Sequence, residues 1–423
     1  MIEILRNAWR IADLRKKILF TVFILVLYRF GSQIFVPFVD TALFSQIFEE
    51  YLGQSTIGFL NMMSGGAFSQ ASIFALSIQP YINASIIMNL LTVGIPALER
   101  LQKEGGEEGR KKIAAITRYA TVALGLLIGW GNYTLIRNFG ALTDDSFFAA
   151  AVIVLSLTAG SAFIMWMGEQ ITEFGVGNGI SIILFSSIVS RGPSMVVSAY
   201  ESLRGGGMQW WMLLVILVFA VAAVAFVVYI TNAERRIPIQ YSKRMVGRKM
   251  YGGQSTHLPL KVNMSGVMPI IFASSIVAFP STIAAFIPSI SKNVEAWFGM
   301  GSPIYACIYF VLIIAFSYFY QAIQFNPVEI ANNLRQNGGF VPGFRPGKPT
   351  SDFIRKVLNK ITLFGAIFLG IVAVMPIVMS SFVPVQGLAM GGTSLLIVVG
   401  VALETVKAIE SQLLMRNYKG FLE

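Results

Sequence analysis

Ten apolar stretches alternate with polar connections along this chain, and each is about long enough to cross a bilayer as a helix. A membrane-spanning helix needs about 20 mostly apolar residues, because the hydrocarbon core is about 30 Å thick. The stretches cover roughly residues 18–37, 71–92, 114–136, 147–167, 174–190, 209–231, 263–287, 303–324, 361–385 and 386–406. The pattern predicts an all-α polytopic membrane protein with ten transmembrane helices.

The charges lie almost entirely in the connections, and Arg29 is the one clearly internal charge. If the first connection is cytoplasmic and the stretches alternate, 27 of the 32 Lys and Arg residues lie on the cytoplasmic side. Basic residues favour that side. We therefore expect a cytoplasmic N-terminal segment at 1–17, a cytoplasmic tail at 407–423, and long cytoplasmic connections at 232–262 and 325–360.

Composition and motifs argue against an enzyme. Hydrophobic residues make up 55% of the chain and the mean hydropathy is +0.68. One Cys and one His exclude disulfide frameworks, Cys/His metal sites and a His-Glu-x-x-His protease motif, so we expect no metal or cofactor. No Asp or Glu lies in the middle of a stretch, although coupled carriers usually place carboxylates there; Glu404, near the end of the last stretch, comes closest.

Residues 55–70 are too short and too polar to cross the membrane, yet more apolar than an ordinary exposed loop. They predict a short re-entrant helix, with Met62 and Met63 as adaptable apolar bulk and Gly65 and Gly66 as points of close approach. A surface amphipathic helix is the alternative.

The pattern Pro-x-Ile-x-Ala-Ser occurs at Pro80–Ser85 and again at Pro269–Ser274, five stretches later. An odd offset predicts two halves of opposite orientation, 18–190 and 191–406, with the functional path between them. The repeat nominates Ile82 and Ile271 as facing that path. Asn83 lies in the first copy and Asn89 lies just after it. Each of these amides needs a hydrogen-bond partner or a polar cavity.

The two long cytoplasmic connections are unusually basic and exceed what the topology requires. We interpret them as docking surfaces for acidic proteins or for RNA phosphates, and the alternative is that their charges only fix the topology. The candidate docking residues are Arg235, Arg236, Arg248, Lys249 and Arg345.

The whole chain resembles the SecY/Sec61-alpha family of protein-translocation channel subunits in its bacterial form. Six motifs carry the resemblance, in this order: Asn61–Leu76, Gly168–Glu173, Gly177–Ser181, Gln254–Asn263, Phe340–Gly347 and Gly391–Ile397. The resemblance implies two inverted five-helix halves in the bacterial cytoplasmic (inner) membrane. It also implies SecE and SecG as partner subunits, the SecA motor or the ribosome (with its rRNA) as the drive, and signal sequences, nascent chains and lipids as contacts.

The resemblance further implies three sets of site residues. An apolar pore ring would consist of Ile78, Ile82, Ile180, Leu184, Ile271 and Ile397. A plug at about 56–70 would include Phe59, Asn61, Met62, Met63, Ser64, Gly65 and Gly66. A lateral gate would include Asn83, Ser85, Asn89, Ser274 and Ser275.

The function predicted is therefore a protein-conducting channel that passes unfolded secretory chains through the ring and releases membrane helices sideways. Two alternatives remain open here. A secondary solute carrier shares inverted repeats and broken helices, but needs polar groups converging on a small substrate. A passive ion channel conflicts with an apolar ring, because an apolar constriction loses its water and blocks ions.

Overall fold

A computed structural model describes residues 2–52, 56–205, 209–241, 244–246, 249–251, 255–264, 266–286, 294, 297, 302–380 and 388–419. This part of the chain is mostly helical, and each of the ten predicted stretches contains a helix. The helices are α1 Ile2–Arg10, α2 Ala12–Gly31, α3 Thr41–Ile47, α4 Thr56–Met63, α5 Gln79–Gly94, α6 Pro96–Lys103, α7 Gly106–Asn138, α8 Phe147–Phe174, α9 Gly179–Ser190, α10 Gly192–Arg204, α11 Trp210–Asn232, α12 Met268–Phe286, α13 Pro303–Gln324, α14 Pro327–Gln336, α15 Lys348–Ser380 and α16 Leu388–Lys419.

Several of these helices are long and apolar enough to cross a membrane. Within the described residues five qualify individually, at Gly106–Asn138, Phe147–Phe174, Leu213–Asn232, Pro303–Gln336 and Lys348–Val378. A sixth span is formed if α5 and α6 count together, although they are bent by 104°. The bend lies at Ile95, whose backbone is extended because Pro96 follows it. The chain is thus a multi-pass helical protein, while the count of ten spans and the two inverted halves stay predictions.

Two predicted spans differ from the helices that form. The second was predicted at 71–92, but α5 begins only at Gln79, and the residues before it fold into turns with positive φ at Ala71 and Ser77. Those turns are buried, so their apolar residues resembled a span. The fifth was predicted at 174–190, but α9 has 12 residues, starting where the Asn178 side chain accepts hydrogen bonds from the amides of Ile180 and Ser181.

The prediction of an all-α fold is wrong for the two long basic connections. They contain the strands β1 Glu234–Tyr241, β2 Arg244–Val246, β3 Lys249–Tyr251, β4 Ser255–Lys261 and β5 Gly339–Phe340. β1 pairs antiparallel with β4 and with β5, so both connections join in one three-stranded sheet of order β4-β1-β5. The physical reason is a period of two along β1, where Ile237 and Ile239 are buried and Arg236 and Gln240 are exposed.

A cluster of apolar side chains packs this sheet against the helices. Ile237, Ile239 and Leu260 from the sheet pack with Ile354 and Leu358 of α15. The sheet is therefore fixed to the helical body, and strand β4 leads through only a few residues into α12.

Candidate functional site

One large cluster of buried apolar side chains includes residues of α5, α9, α12, α16 and several other helices; five of the six candidate ring residues belong to it, and Ile180 packs against it. Ile78, Leu184 and Ile397 have no exposed surface, Ile82 and Ile271 are 2% exposed, and Ile180 is partly buried. The six side chains thus come from four helices that are far apart in sequence. The structure places them in one apolar core, closed to solvent.

The two copies of the repeat build the same local structure. Pro80 is the second residue of α5 and Pro269 is the second residue of α12. The amide of Ile82 donates to the carbonyl of Ile78 (3.0 Å), and the amide of Ile271 donates to that of Val267 (3.2 Å). Proline favours the first turn of a helix because no helical partner is lost there. Each repeat therefore sets an isoleucine one turn into its helix, inside the same cluster.

The segment 56–70 forms the short helix α4 and a tight turn held together by Asn61. The Asn61 carbonyl accepts hydrogen bonds from the Gly66 amide (2.9 Å) and the Ser64 hydroxyl (2.9 Å). Its side-chain oxygen accepts one from the Ser69 amide (3.0 Å). Met62 and Met63 are buried in the cluster that contains the ring candidates. This burial favours a re-entrant segment over a surface helix. For Phe59 the structure gives only its place in α4.

Contacts from three other helices hold this segment in place. The Tyr28 hydroxyl in α2 lies 2.8 Å from Ser187 Oγ in α9 and 3.3 Å from the Ser64 carbonyl. Ser394 Oγ in α16 lies 3.2 Å from Met62 Sδ. The neighbouring Ser77 hydroxyl donates to the Met63 carbonyl (3.3 Å). These partners thus come from both of the sequence ranges, 18–190 and 191–406, that the repeat predicts as halves.

Arg29, the internal charge of the sequence, also contacts this segment. Its Nη1 donates to the Gly65 carbonyl at 3.1 Å. The contact satisfies part of the guanidinium inside an apolar region, where an unpaired charge is expensive. Arg29 therefore serves as an anchor for the turn at Gly65.

Position 65 requires glycine for two reasons, its backbone conformation and its close neighbours. Its φ is +68°, and a Cβ there would lie 3.0 Å from the Ser187 carbonyl oxygen and 3.0 Å from Ser190 Oγ. Gly66 has a φ of +92°, but a Cβ there would have nothing within 4 Å. Only the first glycine is thus in close contact with α9.

A small cavity of about 30 Å³ lies between α5, α7, α12 and the segment 56–70. Gln79, Asn83, Asn132 and Ser275 give it polar walls. Among the described residues, Gln79 Oε1 and Ser275 Oγ have no hydrogen-bond partner. A polar cavity of this size is large enough for a water molecule, which would satisfy both atoms. The space is far below the roughly 300 Å³ of a typical small-molecule site.

The five candidate gate residues separate into two groups. Asn83 of α5 and Ser275 of α12 both line this cavity. Ser274 instead donates to the Ile271 carbonyl of its own helix (2.8 Å), and Ser85 and Asn89 are partly buried on α5 away from the cavity walls. The structure therefore brings together two of the five.

Two of the five candidate docking residues lie on the three-stranded sheet. Arg235 and Arg236 are exposed on β1, where Arg236 pairs with Glu234 at 2.7 Å. Arg345 is exposed at a loop tip between Gly343 (φ 87°) and Gly347 (φ 104°), and its carbonyl accepts from the Thr350 hydroxyl (2.8 Å). Lys249 belongs to β3, and Arg248 lies outside the described residues.

Several polar contacts of the site were missed from the sequence. Tyr28, Ser187 and Ser394 hold the segment 56–70, and Gln79 and Asn132 line the cavity. Asn132 was within reach, because the rule that an amide in hydrocarbon needs a partner applies to it as it does to Asn83. For the hydroxyls no such signal exists, since Ser and Tyr are common in apolar helices and bond to their own backbone.

Comparisons with known proteins agree with one another. A family model described as SecY matches residues 72–406. A protein translocase subunit SecY of Streptomyces galbus is 46% identical over 441 residues, covering 100% of both chains. A solved structure of a protein-conducting channel aligns with a TM-score of 0.68 at 18% identity, over 94% of this chain and 92% of that one. Sec61 from a canine ribosome-channel complex of the endoplasmic reticulum aligns with a TM-score of 0.65 at 17% identity, over 94% and 92%.

Proposed function

The chain belongs to the SecY family, and from this premise we propose that six apolar side chains within its central buried cluster form the closed pore ring of a protein-conducting channel. Protein translocation is the function of the family, and the family is a channel rather than an enzyme. The observation that carries the ring assignment is the meeting of Ile78 and Ile82, Ile180 and Leu184, Ile271, and Ile397 from four helices in one buried cluster.

An apolar ring suits the passage of polypeptides. A narrow apolar constriction loses its water, so ions face a desolvation barrier when no client is present. When a chain is threaded, apolar side chains surround it without selecting one sequence. A charged ring would hold segments of opposite charge too tightly to release them.

The segment 56–70 is the proposed plug, which covers the ring on its outer side. Its support is the burial of Met62 and Met63 in the ring cluster and the hydrogen bonds from Tyr28, Arg29 and Ser77. To leave as a unit when a client enters, the segment would break these hydrogen bonds and withdraw the two methionines from the cluster.

The interface of α5 and α12 is the proposed lateral gate. The two helices contact each other, and the polar cavity lined by Asn83 and Ser275 lies at their junction. A junction that encloses a cavity is packed less tightly than a continuous apolar one, so it separates more easily. Apolar signal sequences and membrane helices would leave there by partitioning into lipid.

The alternative of a secondary solute carrier is not favoured. The family identity argues against it, and the cavity of about 30 Å³ at the junction of the helices is too small for a solute.

The partners we propose are SecE and SecG beside the channel, and SecA or the ribosome on the sheet. The basic residues of the two joined connections support a docking role, because Arg forks bind carboxylates and phosphates bidentately. With the basic connections on the cytoplasmic side, both termini also lie in the bacterial cytoplasm, and the protein resides in the inner membrane.

We expect Arg345→Glu to reduce SecA- or ribosome-driven transport at least about tenfold while leaving folding intact. The side chain is exposed on a loop tip with a fixed backbone, so charge reversal repels an acidic or phosphate partner without disturbing the core. Transport into membrane vesicles and binding of each partner measure the effect. Arg355→Glu makes the same charge change at an exposed position ten residues on, and it should stay near wild type. Wild-type transport by Arg345→Glu contradicts the docking assignment.

Cysteine crosslinking of a stalled secretory chain tests the ring itself. Single cysteines replace Ile82, Ile271 and Ile397 in a Cys307→Ser background, in membranes that contain the SecE partner. We expect crosslinks to the stalled chain from all three positions and none from a cysteine at Val378, which is 47% exposed on α15. Stable complexes that yield no crosslink at the three positions would remove the ring assignment.

A further inference from the structure

A short connection, which we call the joint, leads from strand β4 to the proposed gate helix α12. Its described residues are 262–264 and 266–267, and residues of α15 and α16 lie against it. The Val262 amide donates to the Ala233 carbonyl (2.9 Å), and a Cβ on Gly365 of α15 would lie 2.5 Å from the Val262 carbonyl oxygen. On the other side, a Cβ on Gly400 of α16 would lie 2.0 Å from Val267 Cγ1. The joint therefore fits closely against glycine surfaces on α15 and α16.

Glu404 of α16 faces the same joint. A Cβ on Gly266, whose φ is +61°, would lie 1.9 Å from Glu404 Oε1, so the carboxylate rests directly on this glycine. The carboxylate also accepts a hydrogen bond from the backbone of Val267, the residue before α12. In a capping box a Glu from the same helix bonds the amide of the residue before the helix. Here a different helix provides that Glu, at the positive end of the α12 dipole.

The joint lies close to the ring along both helices. Val267 precedes Ile271 by four residues, which is about one turn, and Glu404 follows Ile397 by seven residues, which is about two turns. Residues at these spacings share a helix face. The contact of Glu404 with Val267 is thus on the faces that carry Ile397 and Ile271 into the cluster.

We propose that Glu404 is a positioning residue that pins the start of α12 to α16 and thereby holds Ile271 and Ile397 in the closed ring. The inference rests on the proposed channel function. It gives a role to the carboxylate that lies nearest to a span in this sequence.

Three substitutions of Glu404 distinguish the hydrogen bond to Val267, which we call the pin, from a simple need for negative charge at this position. Glu404→Ala removes the acceptor, Glu404→Asp keeps the charge but shortens its reach, and Glu404→Gln keeps an acceptor oxygen at the same reach without charge. Glu410→Ala on the exposed face of α16 is the matched control. The measurements are the resting ion conductance of the purified channel in bilayers and the export of a reporter with a defective signal sequence.

We expect Ala and Asp to raise both readouts about tenfold, because the hydrogen bond to the Val267 backbone is lost and only the closed state contains it. Gln and Glu410→Ala should stay near wild type. If the Glu404→Ala channel does not assemble, the test is whether Glu404→Asp leaks more than Glu404→Gln. Both of these variants conserve most of the side chain. Wild-type values for Ala or Asp, or a leaky Gln beside a tight Asp, overturn the pin.

The same experiment distinguishes this inference from the proposed function. If the wild-type chain itself exports no reporter with an intact signal, the channel proposal fails. If the wild type exports that reporter and all three Glu404 variants behave as it does, only the pin fails.

Discussion

Ile271→Asp is expected to make the resting channel leak, raising its ion conductance in planar bilayers at least about tenfold over wild type. Ile271 is 2% exposed and belongs to the same buried cluster as Ile78, Ile82, Leu184 and Ile397, against which Ile180 packs. A carboxylate at this position would be surrounded by apolar side chains. Burying an unpaired charge costs several kcal/mol, so the closed ring separates or takes up water. Either change creates a conducting path.

Two further substitutions show whether the leak comes from the ring. Ile271→Val keeps the site apolar and costs only about 1 kcal/mol of packing, so the channel should stay closed. Val378→Asp places the same charge on α15 at a position that is 47% exposed, where it should not open a path between the halves. An Ile271→Asp channel that assembles normally and conducts no more than wild type would contradict the ring.

The sequence predicted best the helices that face lipid. The stretch 209–231 corresponds to α11 at Trp210–Asn232, and the stretch 303–324 coincides with α13. On α11, Leu217 and Val221 are more than 60% exposed, so the helix is apolar where it packs against nothing in the chain. For such helices the bilayer sets the length, and apolar content alone locates the ends.

It predicted least well the segments whose environment is other parts of the chain. The residues before α5 are apolar because they are buried turns, and no periodicity distinguishes such turns from the start of a span. The strands of the basic connections are short, and β1 pairs with β5, about 100 residues later. The alternation of apolar and polar residues along β1 indicates a strand only if one face of it is covered. Here α15 covers that face, since Ile239 and Leu358 of α15 belong to one buried cluster.

The candidate site divides in the same way. The repeat nominated Ile82 and Ile271 as facing one path between two halves, and this stays a prediction; in the structure both lie one turn into their helices and in the same buried cluster. The anchors of the segment 56–70 depend on distant pairs instead. Arg29 meets Gly65 across 36 residues, and Ser394 meets Met62 across 332. No local pattern encodes such a pair, and Arg29 alone showed only that a partner was needed.

Gly65→Val is expected to release the proposed plug, and Gly66→Val to release it much less. Both glycines have positive φ, which costs a side-chain-bearing residue about 1–2 kcal/mol at either position. Only at Gly65 does the new side chain meet α9, with the Cβ 3.0 Å from the Ser187 carbonyl oxygen and from Ser190 Oγ. We expect Gly65→Val to raise resting conductance and export of a signal-defective reporter about tenfold.

The comparison is informative because both substitutions strain a positive-φ backbone, and the φ of +92° at Gly66 lies further from the left-handed helical region than the +68° at Gly65, so strain alone would not favour release by the Gly65 variant. What differs is the contact with α9, and that contact lies beside the hydrogen bonds of Tyr28 and Arg29 to the same turn. If the plug is held by these contacts, the Gly65 variant loses several of them together and the Gly66 variant keeps them. Equal leakage from both variants would mean that strain alone loosens the segment. A tight Gly65→Val channel would mean that the segment does not close the pore, and the apolar ring would then have to seal the membrane by itself.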